Sequence, residues 1–104
     1  MDRTTKEPLI PLDVLERAAP IIRNAAHPLR LRILDYLRYE GEPRAVSQII
    51  AATGAEQAIV SQQLRILKDQ GILSSRRNGN FVLYDIANRS VLYLLDCIRC
   101  HGSC

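Results

Sequence analysis

The chain has 104 residues, 47% of them hydrophobic and 24% charged, which describes one small folded domain over residues 1–104 and excludes a disordered polymer. The formal net charge of +3 permits a polyanionic partner without requiring one. No apolar run reaches the roughly eighteen residues of a membrane span, and MDRTTKEPLIPLD is not an apolar signal segment, so a cytoplasmic protein with no membrane partner is expected.

The first residues are polar and expected to fray until Pro8 and Pro11 stiffen the approach to a first helix. Asp13 followed by Glu16 fits the acidic form of an N-terminal capping signal. Leu12, Leu15, Ala19, Ile22 and Ala26 then recur at steps of three and four, a stripe suited to a partner helix. Pro20 lies inside this helix and is expected to bend or split it.

A second helix should start at Pro28, because proline suits a first helical turn, and run to about Glu40 before Gly41 stops it. Leu31, Leu34 and Leu37, with Leu29 and Ile33 beside them, make it the central core helix. Arg30 and Arg32 alternate with these leucines and read either as surface charges with packed stems or as phosphate contacts. His27 reads as a helix cap or packing residue.

Residues 46–69, VSQIIAATGAEQAIVSQQLRILKD, read as two short helices joined by a tight turn at Thr53-Gly54-Ala55: a helix-turn-helix. In the second of them Val60, Leu64 and Leu67 face a core. The opposite side offers Ala58, Ser61, Gln62, Arg65 and Lys68, short or polar groups that can enter the major groove of DNA, where Gln and Arg address adenine and guanine edges.

In ILSSRRNGNFVLYDI two β-prone runs flank Asn78-Gly79, the pair favoured by a type I′ hairpin turn. The tip would carry Arg76, Arg77 and Asn80. A hairpin with two arginines, directly after a recognition helix, is what a DNA-binding wing requires. The predicted fold class is therefore mainly α with a β-hairpin: a winged helix-turn-helix.

A last helix is expected over about residues 88–100, where Val91, Leu92, Tyr93, Leu94, Leu95 and Ile98 make it apolar on nearly every side. Such a helix needs a partner in its own domain and another elsewhere. A homodimer through the first and last helices follows, and its two-fold symmetry predicts an inverted-repeat double-stranded DNA operator.

Three motifs in this order resemble the ArsR-type (arsenic-repressor) family of winged-helix regulators over residues 24–86. They are His27-Pro28-Leu29-Arg30-Leu31-Arg32-Ile33-Leu34, then Val60-Ser61-Gln62-Gln63-Leu64-Arg65-Ile66-Leu67-Lys68-Asp69-Gln70-Gly71-Ile72-Leu73, and the hairpin ending Phe81-Val82-Leu83-Tyr84. The resemblance implies a dimeric transcriptional repressor that leaves its operator when an inducer binds, often a soft metal ion. It also implies Gln57, Ala58, Ser61, Gln62 and Arg65 as DNA-facing residues. Two family sites are missing. A Cys-x-Cys pair at the start of the helix-turn-helix is replaced by Ala45 and Ser47, and the Asp and His ligands of the last helix give way to Asn88, Ser90 and cysteines. Glu56 stands where the family often has a Ser cap, and its charge suits a helix N-terminus.

Cys97, Cys100 and Cys104 lie three and four apart, on one face of a continuous helix. At about 1.5 Å per residue the outer two are some 10 Å apart along the axis, too far to share one ion. A turn back at Gly102-Ser103 would let three sulfurs form a soft trithiolate site for arsenite or antimonite as inducer, with no organic cofactor. A two-fold axis could instead bring thiols together. The alternatives are a redox or reactive-sulfur switch at Cys97 and Cys100, a zinc site that adds His101, and a thiol-rich end without function.

Cys97-Ile98-Arg99-Cys100-His101 also matches a haem-attachment pattern, but that chemistry needs export and a haem pocket. A winged helix that docks a protein rather than DNA is the rival from another class. An enzyme is not expected, because His27 and His101 have no nucleophile and acid arranged beside them.

Overall fold

The computed structural model describes residues 8–103 as five helices and a small sheet. The elements are α1 (Leu12–Ala25), α2 (Pro28–Glu40), β1 (Arg44–Ala45), α3 (Val46–Thr53), α4 (Gln57–Asp69), β2 (Leu73–Asn78), β3 (Phe81–Ile86) and α5 (Ser90–Ser103). This is the winged helix-turn-helix that the sequence pattern predicts. The frayed start expected over the first residues falls on 1–7, outside the described residues.

The core forms around α2, whose Ile33, Leu34 and Leu37 are buried with Ile49 of α3 and Val60, Leu64 and Leu67 of α4. Ala25, Ile72, Leu73, Val91 and Leu95 complete it, so every helix contributes at least one buried side chain. The signals at the ends of α2 act as expected. The His27 Nδ1 accepts a hydrogen bond from the Leu29 N–H at 3.3 Å, and Gly41 ends the helix at φ 72°, where a side chain would be disfavoured. Gly54 does the same between α3 and α4, and its N–H closes on the Ile50 carbonyl at 2.9 Å.

Pro20 does not split α1, which is one helix from Leu12 to Ala25. The missing N–H leaves the carbonyl of Glu16 without its helical donor, but Glu16 is exposed and water can serve it. Asn24 Nδ2 also donates to the Pro20 carbonyl at 2.7 Å. The capping role expected of Asp13 is likewise not observed. The N-cap is Pro11, and Asp13 lies in the first turn, where it pairs with Arg17 at 3.2 Å.

The sheet has the order β1-β3-β2, and all its pairs are antiparallel. The two-residue β1 is too short to leave a pattern in the sequence. Asn78 pairs with Phe81, so the hairpin turns through Gly79 and Asn80 rather than Asn78 and Gly79. Only Gly79 has positive φ there, at 65°. That is the sign pattern of a type II′ turn, which takes glycine at its first central position. Burial decides the register: Leu73, paired with Ile86, is buried, and a slip of one residue would turn it out to solvent.

Candidate nucleic-acid interface and thiol site

Every expected DNA-facing residue of α4 is exposed: Gln57, Ala58, Ser61, Gln62, Arg65 and Lys68. They fall into groups. At about 100° per residue, Ala58, Gln62 and Arg65 lie opposite the buried Val60, Leu64 and Leu67. Ser61, Arg65 and Lys68 instead edge a cleft of about 400 Å³ between α4 and the sheet, closed on the far side by Val46 and Tyr84. Gln57 is the first residue of the helix. Its N-cap, Glu56, makes no side-chain capping bond, so that carboxylate acts on the helix only through its charge.

The wing arginines are both exposed but are not tip residues. Arg76 pairs with Leu83 and Arg77 with Val82, two places and one place before the end of β2. Alternation along a strand sends them to opposite faces. Arg77 shares the face of Ser75, Tyr84 and Val82, the side on which Tyr84 closes the α4 cleft. Arg76 lies on the other face, where with Ser74, Leu83, Asp85 and Pro43 it lines a hollow of about 250 Å³.

Just ahead of α5, the Asn88 Oδ1 accepts the Ser90 N–H at 2.9 Å. Val91 and Leu95 enter the core, while Tyr93 and Ile98 are exposed. Cys97 and Cys100 are both exposed and one turn apart. Between them Arg99 reaches α2, its Nη2 lying 3.0 Å from Asp35 Oδ1, which also accepts from Arg38 Nε at 2.9 Å. The helix continues through Ser103, so the expected turn back at Gly102-Ser103 is not formed. Cys104 lies outside the described residues, and among the described ones no three His, Cys, Asp or Glu side chains are grouped to hold an ion.

A helix-turn-helix with an exposed polar recognition face and an adjoining wing is a DNA-reading arrangement, and known proteins agree. The model of the bacterial regulatory protein, arsR family, matches residues 27–75. The HTH-type transcriptional repressor SmtB of Mycobacterium tuberculosis is 33% identical over 93 residues, 88% of this chain and 67% of that protein.

The chain belongs to the ArsR family.

Among solved structures, the crystal structure of the antimony-specific transcriptional repressor AntR matches with a TM-score of 0.87 and 29% identity over 99% of this chain and 92% of that one. The homodimeric winged helix-turn-helix domain of Mb0332 from Mycobacterium bovis, described as a possible ArsR-family regulator, matches with a TM-score of 0.72 and 29% identity over 96% and 91%. The protein is thus a DNA-binding transcriptional repressor of the ArsR/SmtB family. The relatives are regulators and not enzymes. No helix of the described residues is long and apolar enough to cross a membrane.

The fold brings two further residues up against α4. Tyr84 faces the α4 cleft, a position that β3 alternation would have indicated once the register was known. The second is Arg30, for which the sequence left surface charge and phosphate contact open. Half-buried, it donates from Nε to Gln63 Oε1 of α4 and from Nη1 to the Asn24 carbonyl of α1 at 2.9 Å.

Proposed function

We propose that this repressor works in the cytoplasm as a homodimer on an inverted-repeat operator and is released when thiols at the end of α5 bind a thiophilic inducer such as arsenite. The observation that carries the reading is the pair Cys97 and Cys100, exposed one turn apart on a helix whose Tyr93 and Ile98 are also bare. The outer face of α1 is bare as well, with Leu12 69% and Ile22 54% exposed, and two such faces bury each other in a dimer. The homodimeric M. bovis domain and the antimony-specific AntR support the assembly and the class of ligand.

The donor set fits a soft ion. Thiolates are its preferred ligands, and neither backbone nor carboxylate competes for arsenite as a sulfur does. With α5 helical through Ser103, one chain offers Cys97 and Cys100 together, and Cys104 or thiols of the second protomer complete a trithiolate. The DNA side of the proposal assigns Ala58, Gln62 and Arg65 to base edges, with Gln57, Ser61, Lys68, Arg76 and Arg77 around them for the backbone.

The second reading is a redox or reactive-sulfur switch at the same pair. Residues three apart on a helix have Cβ atoms about 5–6 Å apart, and a disulfide needs about 3.5–4.5 Å. The helix would have to open at Cys97–Cys100 to form it, whereas an ion bridging two sulfurs accepts the wider spacing. This favours the ion.

Replacing Cys97, Cys100 and Cys104 together with Ser tests the assignment. Operator affinity should persist and the response to arsenite should vanish. Full response in the triple variant overturns the sensor.

A further inference from the structure

The recognition helix is seated on apolar contacts, and these carry little information about its rotation. Val60, Leu64 and Leu67 are wholly buried, but such packing is non-directional and would tolerate a modest turn of α4 about its own axis. A turn of that kind would move Ala58, Gln62 and Arg65 away from the bases they face. One flank of α4 meets the sheet through the cleft closed by Tyr84. The other flank carries Gln63, half-buried next to the exposed Gln62.

Gln63 is bonded. Arg30 on α2 donates to its Oε1 from Nε, and with Nη1 the same guanidinium reaches the Asn24 carbonyl at 2.9 Å. Asn24 is the penultimate residue of α1, so its carbonyl is one of those a helix end leaves without an internal donor. The cation there also suits the negative end of the α1 dipole. One rigid planar fork therefore joins three helices in fixed directions. Arg30 thus spends two of its donors on protein acceptors, and Gln63 Oε1 is committed to the protein.

We propose that Arg30 is a positioning residue that sets the rotation of the recognition helix through Gln63 and does not itself touch DNA. The proposal rests on α4 reading DNA and is independent of the dimer and thiol assignments. Sequence readout should depend on this bond more than backbone attraction does, because base contacts need an aligned helix while phosphate contacts follow charge. Lysine should not replace Arg30, since a single ammonium lacks the fork that spans both acceptors.

The test compares Arg30→Met, Arg30→Lys, Gln63→Met and the Arg30→Met/Gln63→Met double variant. Binding is followed by fluorescence anisotropy over a series of salt concentrations. The probes are a duplex enriched by the wild-type protein from a random-sequence pool and an unrelated duplex of equal length. Each single variant should bind the enriched duplex about tenfold more weakly, keep its affinity for the unrelated duplex, and keep the salt slope of the wild type. The double variant should be no weaker than either Met single variant, because one shared bond is lost in all three. A salt slope lower by about one released ion in the Arg30 variants would make Arg30 a phosphate contact. Additive losses in the double variant, or equal losses on both duplexes, would also overturn the proposal. Should Arg30→Met fail to fold, Gln63→Met decides alone, since it removes the acceptor and spares the bond to Asn24.

Discussion

Arg99 and Asp35 tie the last helix to the second, with the Arg99 Nη2 3.0 Å from the Asp35 Oδ1. Their side chains are 56% and 45% exposed, so water and salt screen the pair. Exposed ion pairs contribute about 0–1 kcal/mol. Asp35→Ala should therefore lower the melting temperature by a few degrees at most, followed by circular dichroism. A drop as large as that of a core truncation would mean that this bridge, and not Val91 and Leu95, holds α5 in place.

Core truncation should behave differently. Leu64 is completely buried on the face of α4 opposite the DNA-reading side chains. Leu64→Ala should cost about 2–5 kcal/mol, a large share of the whole stability of a domain this size. Denaturant titration should show a strongly lowered midpoint or an unfolded protein.

Gly54 makes the turn of the helix-turn-helix at φ 72°, and a Cβ added there meets nothing within 4 Å. Only backbone conformation opposes substitution, so Gly54→Ala should cost about 1–2 kcal/mol. The melting temperature should fall by roughly 4–8 °C per kcal/mol. A neutral result would show that the turn relaxes to another geometry.

The two wing arginines should not be equivalent. Arg77 shares the face of Tyr84 beside α4, and Arg76 lies on the opposite face. Arg77→Ala should lower the salt slope of DNA binding by about one ion, and Arg76→Ala should lower it less. Arg65→Ala should cost about 1–3 kcal/mol on the enriched sequence and relax discrimination at one position. Anisotropy titrations at several salt concentrations measure both effects.

If α1 and α5 form the dimer, charge on their bare faces should undo it. Leu15 and Tyr93 are 45% and 79% exposed, so Leu15→Glu with Tyr93→Glu should leave each chain folded. Sedimentation should report monomers, with operator affinity lost. A dimer that survives both changes would place the interface elsewhere.

What was legible in the sequence follows from how local each signal is. Both ends of α2 could be read because His27, Pro28 and Gly41 act within a turn of themselves, and the α4 core face could be read from apolar spacing. The hairpin could be read, but its turn lies one residue beyond the Asn78-Gly79 pair that the sequence favours. Asn78-Gly79 suits one turn type and Gly79-Asn80 another, and the choice belongs to the burial of Leu73 opposite Ile86. Asp13 had the composition of a cap, yet Pro11 preceded it and took the position. The Arg30–Gln63 bond joins residues 33 apart, and no spacing rule reaches that far. The clustering of the cysteines was visible in the sequence; the continuation of α5 through Ser103 was not.

The most direct measurement is fluorescence anisotropy of the reduced protein on its operator, titrated with arsenite and, separately, with an oxidant. The account predicts release by arsenite at about three thiols per ion, with the oxidant the weaker trigger. Operator binding that arsenite leaves unchanged would contradict the thiophilic sensor. Release by oxidant alone, reversed by dithiothreitol, would transfer the function of Cys97 and Cys100 to redox sensing.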